Sequence, residues 1–208
     1  MTEKLPTVIG FTGVGGSGKS TAAGWITDNH TNVIQVSFAS PIKNLTRRFL
    51  EDLMPRKWPI SPAEYIRSRE LREEPVPFAG GFTPRKLMQT LGTEWGRESL
   101  HPDIWVSIMA QKIERLMGHS FRKGPNIHIQ VVIDDVRFAN EALMVRAYGG
   151  KVVRVERPGN PHQTAAHVSE TLDFEPDATL LNDGTEADLY ASLAAMFPVP
   201  PKVLTRRR

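Results

Sequence analysis

Gly13-Val14-Gly15-Gly16-Ser17-Gly18-Lys19-Ser20 decides the fold. The apolar run Thr7-Val8-Ile9-Gly10-Phe11 leads into it, and Ser20–Asp28 follows with apolar positions at Ala22, Ala23, Trp25 and Ile26. A glycine-rich turn of the form G-x-x-x-x-G-K-[ST], set between a strand and a helix, is built to cradle phosphates. The glycines let successive backbone N–H groups turn inward as an anion nest, and the helix adds its positive end. The pattern therefore predicts Gly13, Gly15, Gly16, Ser17 and Gly18 around the phosphates of ATP, with Lys19 on the β- and γ-phosphates. Ser20 is expected on Mg²⁺ and Thr21 on the α-phosphate.

Outward from this loop, strand-like and helical runs alternate. A strand is expected at Val33–Phe38 and a helix at Pro41–Leu53. Helices are expected from Thr83-Pro84 to Glu98 and from His101 to Gly118. Ile127–Ile133 reads as a covered strand, Phe138–Tyr148 as a helix ending at Gly149-Gly150, and Lys151–Glu156 and Ala178–Leu181 as strands. Thr185–Phe197 reads as the last helix. This order predicts a three-layer α/β fold with a parallel central sheet, ligands sitting at the carboxyl ends of its strands.

Between Pro55 and Pro84 six prolines (Pro55, Pro59, Pro62, Pro75, Pro77, Pro84) mix with charges. Only Ala63–Glu73 looks helical there, and Arg67–Glu74 reads as a solvated helix face. The expected organisation is one domain over 1–197: a core of about 5–54 and 125–197, and an inserted helical substrate and lid lobe of about 55–124. Residues 198–208 form a Pro/Arg-rich tail.

Composition narrows the chemistry. The 208 residues include no cysteine, and the six histidines are scattered, so no zinc site is expected. No stretch reaches the roughly 20 apolar residues of a membrane span, and the start carries no apolar signal region, which predicts a cytoplasmic protein. The net charge is +3, but Lys202, Arg206, Arg207 and Arg208 lie in the tail; without these four, 22 basic residues face 23 acidic ones. A near-neutral body argues against an obligate nucleic-acid partner.

A second acidic signal lies at Val131-Val132-Ile133-Asp134, an apolar strand delivering a carboxylate to the sheet's ligand edge. Asp134 there is expected to organise Mg²⁺, against the alternative of a helix cap. Asp135 follows and serves a substrate group or Arg137. Arg137 itself either clamps the moving phosphoryl group or pairs with Asp135.

Several blocks together resemble the bacteriophage-type deoxynucleoside monophosphate kinases. They are Gly13–Thr21, Ser37–Lys43, Arg85–Arg97 (RKLMQTLGTEWGR), Asp134–Glu141 (DDVRFANE), Gly149–Pro158, His167–Glu170 and Asn182–Thr185. The resemblance implies a P-loop kinase fold and transfer of the ATP γ-phosphoryl group to a deoxynucleoside 5′-monophosphate. It implies that Asn182–Gly184, hence Asn182 and Gly184, lie near adenine, and that Arg85, Trp95 and Arg97 belong to the monophosphate pocket, with Lys43 at its entrance. Gln89, one turn from Arg85, is placed to read a base edge. Gly159–Glu170 corresponds to a lid whose basic content is thin, with Arg154 and Arg157 flanking it.

Each of these residues also has a plainer reading. Trp95 either stacks on a base or packs in the core beside Leu87, Met88 and Leu91. Arg85 and Arg97 bind phosphate or pair with Glu94 or Glu98. Glu170 touches the sugar or an arginine, or is a solvated loop charge. The alternatives for the whole chain are a dephospho-coenzyme A kinase-like enzyme and a P-loop regulatory ATPase. The first needs a base or orienting acid near the second strand, where Ser37-Phe38-Ala39-Ser40 offers no carboxylate. The oligomeric state is left open, with a homodimer as the assembly considered.

Overall fold

The computed structural model describes residues 6–123, 129–160 and 173–199. They divide into two compact units, one of Met1–Ser37 with Ala110–Arg208 and one of Phe38–Met109.

The first unit is built on five parallel strands: β1 (Val8–Thr12), β2 (Val33–Val36), β3 (Gln130–Ile133), β4 (Lys151–Glu156) and β5 (Ala178–Leu181). Their spatial order is β2-β3-β1-β4-β5. β1 is central because its five residues are all buried, and it pairs β3 on one side (Ile9 with Val132) and β4 on the other (Phe11 with Val153). Side chains alternate across a strand. Ile9 and Phe11 join a core with Ala22, Ala23 and Ile26 of α1 (Lys19–Asn29) and Leu189 and Leu193 of α7 (Glu186–Met196). Gly10 faces the other way, where a Cβ would stand 2.9 Å from Val136 and 3.2 Å from Val145 of α6 (Ala139–Ala147). Helices thus cover both faces, and the three-layer parallel architecture expected from the sequence is the one found.

The second unit is helical: α2 (Ala39–Leu53), α3 (Pro62–Arg67), a 3-10 turn at Pro77–Ala79, α4 (Pro84–Thr90) and a π-helix (Leu91–Leu100). α5 (Ile104–Lys123) begins in it. Its core gathers Leu50, Met54, Tyr65, Ile66, Val76 and Ala79, with Trp58 and Phe78 edge to face at 4.8 Å.

Four sequence expectations change. The second strand stops at Val36, not Phe38. The helix expected over Ala63–Glu73 closes at Arg67: Ser68 leaves the helical region (ψ 137°), and its hydroxyl takes the Leu71 N–H at 3.1 Å. Arg67–Glu74 is therefore mostly an irregular turn rather than a helix face. The helix expected over 83–98 widens after Thr90 into i→i+5 bonding, closed by His101 N to Gly96 O at 3.0 Å. Trp105 gives the physical reason. It is 2% exposed, its indole N–H donates to Gly92 O at 2.7 Å, and a Cβ on Gly96 would lie 2.6 Å from its ring. Finally, α5 runs past Gly118 to Lys123. Residues 127 and 128 of the expected third strand lie outside the described residues.

Candidate functional site

The first unit holds the phosphate loop at the carboxyl end of β1. Gly13 (φ 130°) and Gly18 (φ 108°) have backbones only glycine tolerates easily. A Cβ would also meet the Val155 carbonyl at 2.4 Å from Gly13, and the Asn182 amide at 2.6 Å from Gly18. Gly18 hands directly into α1, so the free N–H groups of that helix open on the loop. Lys19 folds back across it, donating to Gly13 O and Val14 O at 2.7 Å each. Gly15 and Gly16 are half-buried, Ser17 is buried, and Thr21 is exposed on the first turn of α1.

Two amides brace the loop from behind. Asn182 Nδ2 donates to Ser17 O at 2.8 Å, and Asn160 Nδ2 donates to Gly15 O at 2.7 Å. Both asparagines are 8% exposed, and the Asn182 bond satisfies a buried carbonyl while the Asn160 bond reaches a half-buried one. Asn160 escaped the sequence reading, because nothing local marks an asparagine 145 residues away as a loop partner. Asn182 was expected beside adenine; its amide N–H is committed to the loop backbone. Gly184, two residues on, is exposed.

β3 lies next to β1, so its carboxyl end brings Asp134 to the loop. Asp134 Oδ2 accepts from Ser20 Oγ at 3.3 Å and from Gln35 Nε2, on β2, at 2.9 Å. A hydroxyl and a carboxylate oxygen side by side fit a hard cation that keeps most of its water and phosphate ligands. No group of three or more histidine or acidic side chains that could hold a metal ion exists among the described residues.

Asp135 points to a different partner: Ser37 Oγ donates to its Oδ2 at 2.6 Å. This corrects the expectation that the end of the second strand lacks a carboxylate. Asp135 arrives there from the neighbouring strand, which sequence order hides. No ion pair between Arg137 and Asp135 appears among the described residues, and Arg137 is exposed. Its backbone N–H instead donates to Glu141 Oε2 at 2.7 Å, as does that of Phe138 at 3.3 Å. Glu141 is 2% exposed, and its carboxylate fixes the turn that carries Asp134, Asp135 and Arg137. Arg154 forms a surface pair with Glu156 at 3.0 Å.

The second unit contains the other expected residues. Lys43 lies half-buried on α2 and Gln89 half-buried on α4. Arg85, on the first turn of α4, pairs with Glu73 and not with Glu94 or Glu98. Arg97 donates to Pro102 O at 3.0 Å. Glu94 pairs with Lys86 at 3.2 Å. Trp95 stands on the π-helix 46% exposed, which removes it from the core, whereas Trp105 is 2% exposed. Glu170 and the remainder of the expected lid from residue 161 lie outside the described residues, as does the tail from residue 200.

No described helix is long and apolar enough to cross a membrane. The family model for deoxynucleotide monophosphate kinase matches residues 61–193. A protein of Acanthamoeba polyphaga mimivirus, provisionally named a deoxynucleotide monophosphate kinase, is 30% identical over 196 residues, covering 89% of this chain and 93% of its own. The deoxynucleoside-5′-monophosphate kinase of Escherichia phage T5 is 34% identical over 92 residues, 43% of this chain and 33% of its own. Among solved structures, dephospho-CoA kinase from Campylobacter jejuni matches 91% of this chain and 95% of its own at 13% identity, with a TM-score of 0.40.

Proposed function

The chain belongs to the deoxynucleotide monophosphate kinase family, and from that premise we propose that Gly13–Thr21 holds ATP while a deoxynucleoside 5′-monophosphate accepts its γ-phosphoryl group. The observation that carries this reading is the meeting of Lys19, Ser20 and Asp134 at one sheet edge, from chain positions 114 residues apart.

The reaction breaks the bond between the γ-phosphorus and its bridging oxygen and forms one to an oxygen of the acceptor phosphate. ADP and the deoxynucleoside diphosphate leave. That acceptor oxygen is already ionised near neutral pH, so no general base is needed, and the work is positioning and charge neutralisation. The Lys19 ammonium leaves its two loop carbonyls for the β- and γ-phosphate oxygens. Ser20 and Asp134 would hold Mg²⁺, which when bound neutralises charge across the β- and γ-phosphates. Gln35 keeps the Asp134 carboxylate aimed, and Asn160 and Asn182 keep the loop carbonyls turned away from the anion. Arg137, exposed on the turn after β3, adds a cation for the transferring group.

For the acceptor we propose Arg85 and Arg97 as phosphate ligands, Trp95 as the stacking surface for the base, and Gln89 as the reader of a base edge. Lys43, Asp135 and Glu170 complete this set. The exposure of Trp95 supports its place, since a bare indole face offers stacking area with few rotors to order.

One observation favours a second reading. Asp135, held by Ser37, is a carboxylate at the end of the second strand, the group a hydroxyl acceptor such as the ribose of dephospho-coenzyme A requires. A coupled ATP assay against the four deoxynucleoside monophosphates, their ribose forms and dephospho-coenzyme A separates the two. Turnover confined to the monophosphates is expected. Turnover confined to dephospho-coenzyme A overturns the assignment.

A further inference from the structure

The turn left where α3 stops early carries Arg72 and Glu73, which the roles above do not use, beside Arg85, which they do. Arg72 is half-buried within it. Its guanidinium is held by two backbone carbonyls of the same turn: Nε donates to Ser68 O at 3.1 Å and Nη2 to Arg67 O at 3.4 Å. The backbone of Arg72 is tied to the start of α4, its carbonyl accepting the Arg85 N–H at 3.0 Å. The Arg85 side chain returns to the same turn and pairs with Glu73. Two arginines and one glutamate thus share one small surface, joined through backbone as well as side chains.

The electrostatics are unfavourable for an empty structural turn. Burial pushes the Arg72 pKa down, and the charges of Arg85 and then Arg69 push it further the same way, with Glu73 and Glu70 opposing. Half-burying one guanidinium beside a second costs stability unless an anion compensates. Glu70 is engaged by the Ser68 hydroxyl at 2.7 Å, and Glu73, 55% exposed, has its pairing with Arg85 weakened by solvent. A phosphate monoester brings a charge of about −1.5 to −2 and three acceptor oxygens, enough to satisfy both guanidinium forks.

We propose that Arg72 and Arg85 together clamp the 5′-phosphate of the acceptor nucleotide, and that the Glu73 carboxylate holds its place until the nucleotide arrives. This rests on the reading that the unit Phe38–Met109 receives the monophosphate. It adds Arg72 as a ligand and makes Glu73 a competitor of the substrate. Arg85 is already held at two points, its N–H by Arg72 and its side chain by Glu73, so binding exchanges one carboxylate for a phosphate without refolding the turn.

The test uses the whole chain and the deoxynucleoside monophosphate that it phosphorylates best, or, without turnover, the one it binds best. Binding is read by calorimetry without ATP, beside the same deoxynucleoside lacking its phosphate; turnover is read by the coupled assay. Arg72→Met is expected to weaken monophosphate binding and raise its KM by about ten-fold or more, leaving the KM for ATP and the binding of the deoxynucleoside unchanged. Arg72→Lys, which keeps the charge and loses the fork, recovers part of the loss. Glu73→Gln is expected to tighten monophosphate binding several-fold. Unaltered monophosphate affinity in folded Arg72→Met overturns the clamp. If that variant does not fold, unchanged or weaker affinity in Glu73→Gln overturns it instead. Binding without turnover in the wild type faults the assigned reaction and leaves the clamp to be judged by the variants. A wild type that binds no monophosphate overturns both.

Discussion

The Ser20 hydroxyl stands 3.3 Å from Asp134 Oδ2, and the same oxygen takes a second hydrogen bond from Gln35 at 2.9 Å. Three adjacent parallel strands make this possible, because β3 lies between β1 and β2 and all three end at one edge. The carboxylate is thus aimed by one group that would share its metal and by one that would not.

The two contacts separate in a magnesium titration. Asp134→Asn keeps the shape and removes the charge, so the Mg²⁺ concentration for half-maximal turnover should rise by about ten-fold or more. Gln35→Ala removes only the aiming group, so the same midpoint should move less than in Asp134→Asn, because an outer-shell partner orients the ligand without carrying its charge. A midpoint left unmoved by Asp134→Asn removes Asp134 from the metal site. A larger shift in Gln35→Ala than in Asp134→Asn contradicts the order of roles.

The loop's rear support gives a different signature. Asn182→Asp preserves volume but cannot donate to Ser17 O, leaving a buried carbonyl facing a carboxylate. An unsatisfied buried group costs about 1–3 kcal/mol. The loop is where that cost should fall, so the KM for ATP should rise while the KM for the acceptor stays. An effect on the acceptor KM alone would show that Asn182 acts elsewhere.

These contrasts show what a one-dimensional reading reaches. The glycine-rich loop, the parallel sheet and the placement of Asp134 at the strand end beside Ser20 were legible because each depends on local pattern: a loop motif, apolar runs, a carboxylate after an apolar strand. Asn160, Gln35 and the Ser37–Asp135 bond were not, since each is made by strand order, which places residues about 100 or more apart side by side. The block Leu91–Arg97 was legible as a helix but not as a π-helix. Its widening depends on Trp105, whose indole donates to the Gly92 carbonyl and whose ring occupies the space that a side chain at 96 would need.

That dependence is itself testable. In Gly96→Ala the new Cβ would sit 2.6 Å from the Trp105 ring, which is rigid and 2% exposed. Overpacking of this kind costs about 1–3 kcal/mol. Gly24, inside α1, is the control: a Cβ there meets nothing within 4 Å. Gly24→Ala should therefore stabilise by up to about 1 kcal/mol through helix propensity and reduced freedom of the unfolded chain. Urea midpoints of the two variants should move in opposite directions. A Gly96→Ala midpoint at or above the wild type would mean the π-helix does not need the indole against it.

His30 sets an acid limit on stability. It caps the end of α1 at 7% exposure, edge-on to Trp25 at 6.0 Å, and its buried Nε2 has no hydrogen-bond partner among the described residues. Burial lowers its pKa below the ordinary 6.5, and the nearby Phe197 backbone opposes this only in part. With the folded pKa depressed, the unfolded chain takes up its proton first as pH falls. Stability should therefore be full above the unfolded value of 6.5, fall as the pH drops below it, and level off once the folded pKa has been passed. Thermal melts of the wild type and His30→Gln between pH 8 and pH 5 should show the difference. The wild type should lose melting temperature more steeply below about pH 6.5, because glutamine does not titrate. Parallel curves over that range would mean that His30 accepts its proton in the folded protein at no cost.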